Sequence, residues 1–130
     1  MEKVLGMGGF FFRARDPAAL KTWYEEHLGV TAGAETYDEL GWRQSGGITV
    51  FEPFSSGTSY FGAEDRQWMI NFRVADLDAM VSQLRNAFIE VEVDPEVYPN
   101  GHFARLKDPE GNPIQLWQPV EKWLAAEEDK

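Results

Sequence analysis

Two arginines and one glutamine are the side chains of this sequence best suited to bind a ligand: Arg13, Arg73 and Gln115. A guanidinium holds a carboxylate or phosphate through two parallel hydrogen bonds. Alternatively, each arginine pairs with an acidic neighbour, since the chain has 22 acidic residues. The amide of Gln115 can bind a ligand, or a metal ion if charged or imidazole groups share the site. These residues therefore indicate either an anion-binding site or a fragment of a metal site.

Other reactive groups are scarce. The chain has no cysteine, which excludes disulfides, thiolate nucleophiles and thiolate metal sites together. The two histidines, His27 and His102, fit no HxH or HExxH spacing. Acid–base chemistry without a metal needs a carboxylate, histidine or tyrosine inside the site. Only Glu52, Tyr98 and His102 could reach a site, and then from its rim, so no catalytic residue is assigned.

Composition fits one compact domain of 130 residues with 43% hydrophobic and 14% aromatic residues. The net charge of −10, without a basic cluster, argues against nucleic acid and anionic lipid as partners. No apolar run is long enough to span a bilayer. The N-terminus lacks the pattern of a signal peptide. These features favour a cytoplasmic protein that does not bind membranes.

The elements that must position these side chains form an internal repeat. Residues 10–12 read as an apolar strand, and Asp16 with Pro17 marks a helix start. Residues 70–74 and Asp76 repeat this pattern. The alignment pairs Phe12, Arg13, Asp16 and Ala19 with Phe72, Arg73, Asp76 and Ala79. A second alignment, in the same order along the chain, pairs ITVFEPF (48–54) with IQLWQPV (114–120), which strengthens the case for a duplication.

Each half has room for two more short strands, predicted at 30–35 and 41–45 in the first half and at 91–94 and 102–107 in the second. The chain is then a single domain, 1–130. Module one covers about 3–54, a linker 55–67, module two about 68–120, and an acidic tail, able to form a short helix, 121–130. The linker carries Tyr60 and Phe61, which either fold over a cavity or a partner chain or pin the loop to the surface.

The segments FFFRARDPAALKTWYEEHLG, INFRVADLDAM and ARLKDPEGNPIQLWQP resemble the glyoxalase/bleomycin resistance/dioxygenase superfamily, the vicinal oxygen chelate (VOC) proteins, over residues 3–120. The resemblance implies an α+β fold in which two βαβββ modules form a curled mixed sheet with a central cup. The helices would cover the outer face. It also implies a homodimer.

Alternation of side chains along the strands assigns the face that lines this cup. One face of the predicted strands is uniformly apolar and suits contact with helices. The other face mixes aromatic, polar and charged residues, as small-molecule sites do. The predicted lining is Gly9 together with nine ligand-binding candidates: Phe11, Arg13, Thr49, Phe51, Met69, Asn71, Arg73, Gln115 and Trp117.

Metal-dependent members of the superfamily hold their ion with His, Glu or Gln at four related positions. These positions map onto Gly9, Thr49, Met69 and Gln115. None is an imidazole or a carboxylate, so we predict no metal and no cofactor. Arg13 matches an arginine that contacts a carboxylate of the glutathione adduct in glyoxalase I, and Arg73 corresponds to it by the internal symmetry.

The leading hypothesis is a metal-free small-molecule-binding protein whose cup suits an apolar or aromatic ligand with an anionic group. The enzyme alternative is a glyoxalase-like lyase (lactoylglutathione lyase-like) or a dioxygenase-type metalloenzyme with a displaced metal site. A third possibility is an interacting dimer whose cup is filled by its own side chains. Fold resemblance alone does not choose among them.

Overall fold

The computed structural model describes residues 1–31 and 41–120. Its elements are α1 (Pro17–Leu28), β1 (Ile70–Arg73), α2 (Leu77–Asn86), β2 (Glu92–Val93), β3 (Gly101–Lys107) and β4 (Pro113–Pro119). The predicted strand at 30–35 lies mostly outside the described residues, and the predicted tail helix in 121–130 lies wholly outside them. In the part of the chain that is described, no helix combines the length and apolar character needed to cross a membrane.

The four strands form one curled, open sheet in the order β1-β4-β3-β2. β1 runs parallel to β4, whereas β3 is antiparallel to both β4 and β2. The register pairs Asn71 with Gln115, Gln115 with Arg105, and Phe103 with Trp117. The predicted α+β class with a curled mixed sheet is confirmed. The strand–helix–three-strand order of the second half is present as the sequence indicated.

Both helices begin where the sequence signals place them. The Asp16 side chain accepts a hydrogen bond from the backbone N–H of Ala19, and Pro17 occupies the first turn of α1. Asp76 caps α2 in the same way through Ala79. Gly29 ends α1 with a φ of 73°, a left-handed conformation that glycine adopts without strain. The capping signals therefore set the helix starts correctly in both halves.

The core lies between the sheet and the two helices. Ala104, Leu106, Ile114 and Leu116 point from β3 and β4 to the side that α2 covers, and Leu84 of α2 is fully buried in the same cluster. Two buried residues of α1, Leu20 and Tyr24, join it. The helix of the first half thus packs on the sheet of the second half, and the other face of the sheet is left for other contacts.

Of the strands predicted in the first half, those that lie within the described residues are not formed. Residues 3–14 and 41–54, which include the segments 10–12, 41–45 and 48–54, contain no strand in the described structure. A strand persists only where a neighbouring strand satisfies its backbone N–H and C=O groups, and apolar character alone does not supply that neighbour. The glycine pairs Gly8–Gly9 and Gly46–Gly47 weaken strand formation further.

The turn between β3 and β4 ties the two halves together. The buried Asp108 accepts hydrogen bonds from the Tyr24 hydroxyl of α1 (2.7 Å) and from the Asn112 side chain (2.8 Å). The Glu110 carboxylate accepts from the backbone N–H groups of Arg15 (2.7 Å) and Asp16 (3.0 Å). These two carboxylates fix the start and the middle of α1 to the turn at residues 108–112.

The Glu110 contact should make stability sensitive to acid. The backbone hydrogen bonds from Arg15 and Asp16 lower the pKa of Glu110 below its ordinary value of 4.5. A carboxyl with a lowered folded-state pKa stabilises the fold above the unfolded pKa and loses that contribution as the pH falls through the folded pKa. We expect Glu110→Gln to be less stable than the wild type at pH ~7 and to approach it below pH ~4.

Urea unfolding midpoints of the two proteins between neutral and acid pH measure this effect. Glu64→Gln, which removes an exposed carboxylate from the linker, is the control and should not change the pH dependence. A gap between wild type and Glu110→Gln that stays constant across the range would contradict the assigned role.

Candidate functional site

The face of the sheet that points away from the core includes six neighbouring side chains on β1, β3 and β4, with Lys107, Pro113 and Pro119 at the strand ends. They follow from alternation, since Ile70, Phe72, Ala104, Leu106, Ile114 and Leu116 take the core side. The face is formed by Asn71 and Arg73 of β1, Phe103 and Arg105 of β3, and Gln115 and Trp117 of β4. Four of the nine predicted ligand-binding residues are therefore brought together here.

A row of polar groups crosses this face. The Asn71 side-chain N–H₂ donates to Oε1 of Gln115 at 2.6 Å. Nε2 of Gln115 in turn donates to the hydroxyl of Tyr60 at 2.9 Å. The guanidinium of Arg105 lies under the Tyr60 ring, with Cζ 4.1 Å from the ring centroid, and also donates to the Tyr60 carbonyl. The Tyr60 ring thus holds the linker loop against this face of the sheet.

Two stacked rings lie at the next position along the face. The Phe103 and Trp117 rings are parallel within 2°, with centroids 6.2 Å apart. Trp117 is only 4% exposed, and its indole N–H donates to the carbonyl of Asn100 at 2.8 Å. Tyr98 contacts Phe103 edge-on, and its hydrogen bond to Asp94 raises the pKa of Tyr98 to about 12. The half-buried Phe103 is therefore the accessible ring of this pair, and the buried Trp117 supports it.

Arg73 holds a segment of the first half at the edge of the face. Its guanidinium donates to the backbone carbonyls of Gly46 (2.9 Å) and Ser45 (3.0 Å). These two bonds fix the position of the guanidinium at the edge of the face. Segment 45–46 thereby becomes a neighbour of the sheet although it forms no strand.

Phe11 and Arg13 lie elsewhere, in a separate open depression of about 620 Å³. Its other lining residues are Phe12, Asp65, Arg66, Gln67, Trp68 and Asn112. The Phe12 and Trp68 rings meet edge-on at 5.1 Å. The structure therefore does not place Arg13 beside Arg73 and Gln115, because the strand predicted to carry Arg13 has no partner strand to align it with β1.

The remaining predicted lining residues are spread out. Phe51 is 87% exposed and Thr49 is exposed. Met69 is half-buried just before β1. Gly9 is exposed, and the ring of Phe11 lies where a Cβ at that position would be. Gly9, Thr49 and Phe51 lie, like Arg13, on segments that form no strand, so no strand pairing aligns them with the face of the sheet.

The four positions at which metal-dependent relatives hold an ion do not fit a divalent cation here. Gly9 has no side chain, and Thr49, Met69 and Gln115 are neutral, whereas such ions require imidazole or carboxylate ligands. Gln115 is already engaged by Asn71 and Tyr60. Across residues 1–31 and 41–120, no three His, Asp or Glu side chains are grouped to hold an ion.

The sequence did not predict that Phe103 and Arg105 belong to this face. It also did not predict that the Tyr60 ring lies on the sheet. A signal for the first two exists in the segment HFARLK, where Ala104 and Leu106 are apolar and Phe103 and Arg105 alternate with them. The place of Tyr60 depends on the path of the linker, which no periodic pattern specifies.

The chain has relatives among known proteins. The sequence profile of the Glyoxalase/Bleomycin resistance protein/Dioxygenase superfamily matches residues 6–116. The chain therefore belongs to this superfamily, as the resemblance indicated. Comparison with curated proteins gave no significant match.

Three solved structures are similar to this chain. TnmS3, an antibiotic binding protein from Streptomyces sp. CB03234, is 20% identical, with a TM-score of 0.60, 92% of this chain covered and 100% of that chain. A putative glyoxalase family protein from Bacillus anthracis is 18% identical, with a TM-score of 0.50 and coverages of 78% and 83%. A glyoxalase/bleomycin resistance protein from Streptomyces sp. CB03234 is 35% identical over 38% of this chain and 42% of that chain, with a TM-score of 0.35. The similarity to TnmS3 extends over nearly the whole chain and supports the fold.

Proposed function

We propose that this protein binds a small molecule, without a metal, on the sheet face defined by Asn71, Arg73, Phe103, Arg105, Gln115 and Trp117. The observation that carries the proposal is the composition of this face. Rings and a few oriented polar groups point away from a fully formed core, as in small-molecule sites. Membership of the superfamily and the antibiotic-binding description of TnmS3 support the same function.

The chemistry of the face favours a ligand with a flat aromatic body and an anionic group. The half-buried Phe103 ring, supported by the buried Trp117 ring that lies parallel to it, offers an apolar edge of this face to a flat ring. Arg73 and Arg105 place two guanidinium groups on the same face of the sheet, and a guanidinium holds a carboxylate through parallel hydrogen bonds. Glu92 of β2 is the register partner of Arg105, so bidentate hydrogen bonding by the arginines, rather than a net positive charge of the face, favours an anionic group.

A thermal-shift screen with a library of aromatic carboxylates tests this function. We expect hits that raise the melting temperature of the wild type and bind Arg73→Ala and Arg105→Ala at least about tenfold less tightly, because each charge-assisted hydrogen bond contributes about 1.5–3 kcal/mol. Lys21→Ala, which removes one positive charge from the exposed side of α1, is the matched control and should respond like the wild type. Ligands that stabilise all four proteins equally would refute the anion site.

Elemental analysis of protein purified from its native source separates this function from the enzyme alternative. A glyoxalase-like lyase or a dioxygenase-type enzyme with a displaced metal site would retain about one Zn, Ni, Mn or Fe ion per chain. We expect no stoichiometric metal. One tightly held ion per chain would overturn the metal-free proposal, whatever the outcome of the carboxylate screen.

We further propose that the functional unit is a homodimer. β1 ends the strand order, so its outer edge has no partner strand among the described residues. The first half also exposes aromatic side chains, with Phe11 at 92% and Phe51 at 87%. Unpaired strand edges and exposed apolar side chains favour association between chains. A second copy that covers the β1 edge would also bring more residues to the ligand-binding face.

Light scattering after size-exclusion chromatography should give a mass of about twice the 14.8 kDa of one chain. The double variant Phe11→Glu/Phe51→Glu should elute as a monomer, because it places charges on the proposed contact surface. Phe88→Glu is the matched control, since Phe88 is 98% exposed but lies beyond α2, and it should remain a dimer. A monomeric wild type would contradict the proposal.

A further inference from the structure

Tyr60 occupies the ligand-binding face as a ligand ring would. Its ring lies on the guanidinium of Arg105, with Cζ 4.1 Å from the centroid, which is cation–π geometry. Its hydroxyl accepts a hydrogen bond from Nε2 of Gln115 at 2.9 Å. Tyr60 thus contacts the Arg105 cation with its ring face and accepts the hydrogen bond of the Gln115 amide with its hydroxyl oxygen.

The orientation of that amide is fixed. Oε1 of Gln115 accepts from Asn71 at 2.6 Å, so Nε2 is the atom that faces Tyr60 and it can only donate. Asn71, Gln115 and Arg105 are direct neighbours across β1, β4 and β3. The row therefore combines, on a rigid sheet, a donor for a ring oxygen and a cation for the ring face. This combination is complementary to a hydroxylated aromatic ring.

Tyr60 lies in a segment without regular structure. Residues 41–69 contain neither helix nor strand, and the loop around Tyr60 is closed by two short turns, Ser55–Thr58 and Ser59–Gly62. Beyond Arg105 and Gln115, the ring contacts Phe54 in a stacked arrangement at 6.0 Å. The side chain is half-buried. The contacts that hold Tyr60 on the face are therefore made with the side chains of Arg105, Gln115 and Phe54.

We propose that Asn71, Gln115 and Arg105 form a subsite for a hydroxylated aromatic ring, such as a phenol or naphthol, and that Tyr60 fills it until the ring of the ligand replaces it. This subsite rests on the proposed small-molecule function and gives it a ligand class. It also reconciles ligand binding with a face that is partly filled by a side chain of its own chain. Tyr60 then competes with the ligand for the subsite, so the ligand ring must displace the Tyr60 ring in order to bind.

Fluorescence titration with three probes tests the subsite: a hydroxynaphthoate, the same naphthoate without its hydroxyl, and the neutral naphthol. We expect Tyr60→Ala to bind the hydroxynaphthoate about tenfold more tightly than the wild type, because the competing ring is gone. In this variant the hydroxyl should improve binding about fivefold, and Tyr60→Ala/Gln115→Leu should lose that preference. Phe61→Ala truncates the neighbouring ring of the loop and should bind like the wild type.

The three probes separate failure of the subsite from failure of the proposed function. Equal binding of the two naphthoates to the wild type and Tyr60→Ala would overturn the subsite and leave the anion site standing. Suppose that naphthol binding depends on Gln115 and that naphthoate binds Arg73→Ala as tightly as the wild type. This result would support the subsite and overturn the anion proposal. No binding of any probe to Tyr60→Ala, with its fold verified by circular dichroism, would overturn both.

Discussion

Replacing Asp108 with alanine is expected to lower the free energy of unfolding by about 3–5 kcal/mol, because several buried donors lose their acceptor together. Asp108 is 4% exposed. Its carboxylate accepts from the Tyr24 hydroxyl, from the backbone N–H groups of Glu110 (2.9 Å) and Asn112 (3.0 Å), and from the Asn112 side chain. A buried donor left without a partner costs about 1–3 kcal/mol.

Tyr24→Phe should cost less, about 1 kcal/mol, because Asp108 keeps its other three donors. Burial and the bond to Asp108 hold the pKa of Tyr24 well above its usual value of 10, which agrees with a hydroxyl that donates inside the core. Asp65→Ala is the control, since its carboxylate is 80% exposed, and should change stability by at most about 1 kcal/mol. Chemical denaturation of the three variants measures these differences. An Asp108→Ala protein as stable as Asp65→Ala would show that the turn does not anchor α1.

Gly101→Ala is expected to destabilise the protein by about 3–5 kcal/mol, combining backbone strain with overpacking. Gly101 has a φ of +135°, which an L side chain rarely adopts. A Cβ there would lie 2.1 Å from the carbonyl oxygen of Gln118 and 3.0 Å from Nε1 of Trp117. Since both neighbours belong to β4, the strand would have to move away from β3 at this point.

The same displacement should reach the ligand-binding face, because the Trp117 indole N–H donates to Asn100 next to Gly101. We expect the indole N–H resonance of Trp117 in an NMR spectrum to shift in Gly101→Ala. Gly57→Ala, where nothing lies within 4 Å of the added Cβ, should leave both stability and spectrum unchanged. An unshifted resonance together with wild-type stability in Gly101→Ala would contradict the observed geometry.

The second half of the chain could be predicted from sequence because its signals are local. Asp76 before an apolar helical pattern, the turn at Asn100–Gly101 and the DPEGNP turn each specify their own conformation. Alternation along 114–117 assigns Gln115 and Trp117 to one face, and their neighbours Ile114 and Leu116 are fully buried in the core on the other. The residues that determine each of these elements lie within the element itself or directly beside it.

The first half could not be predicted in the same way, because a strand depends on a neighbour that can lie far along the chain or in another chain. Phe11 and Arg13 were assigned to the cup by alternation along a strand that the described residues do not form. Arg105 was missed for a different reason. Its strand was predicted, but which residue faces Gln115 across the sheet is a property of two strands together. The position of Tyr60 depends on a loop without periodicity, so no local pattern specifies it.

The placement of α1 has a consequence for cooperativity. The repeat predicted from the sequence implies two similar units, yet Leu20 and Tyr24 of α1 join the core formed by the strands of the second half. Asp108 and Glu110 hold that helix through hydrogen bonds from the Tyr24 hydroxyl and from the backbone N–H of Arg15. Residues 68–120 by themselves would leave open to water the part of this core that α1 covers. The halves are therefore interdependent, and the protein should lose its structure in one all-or-none transition rather than one repeat at a time.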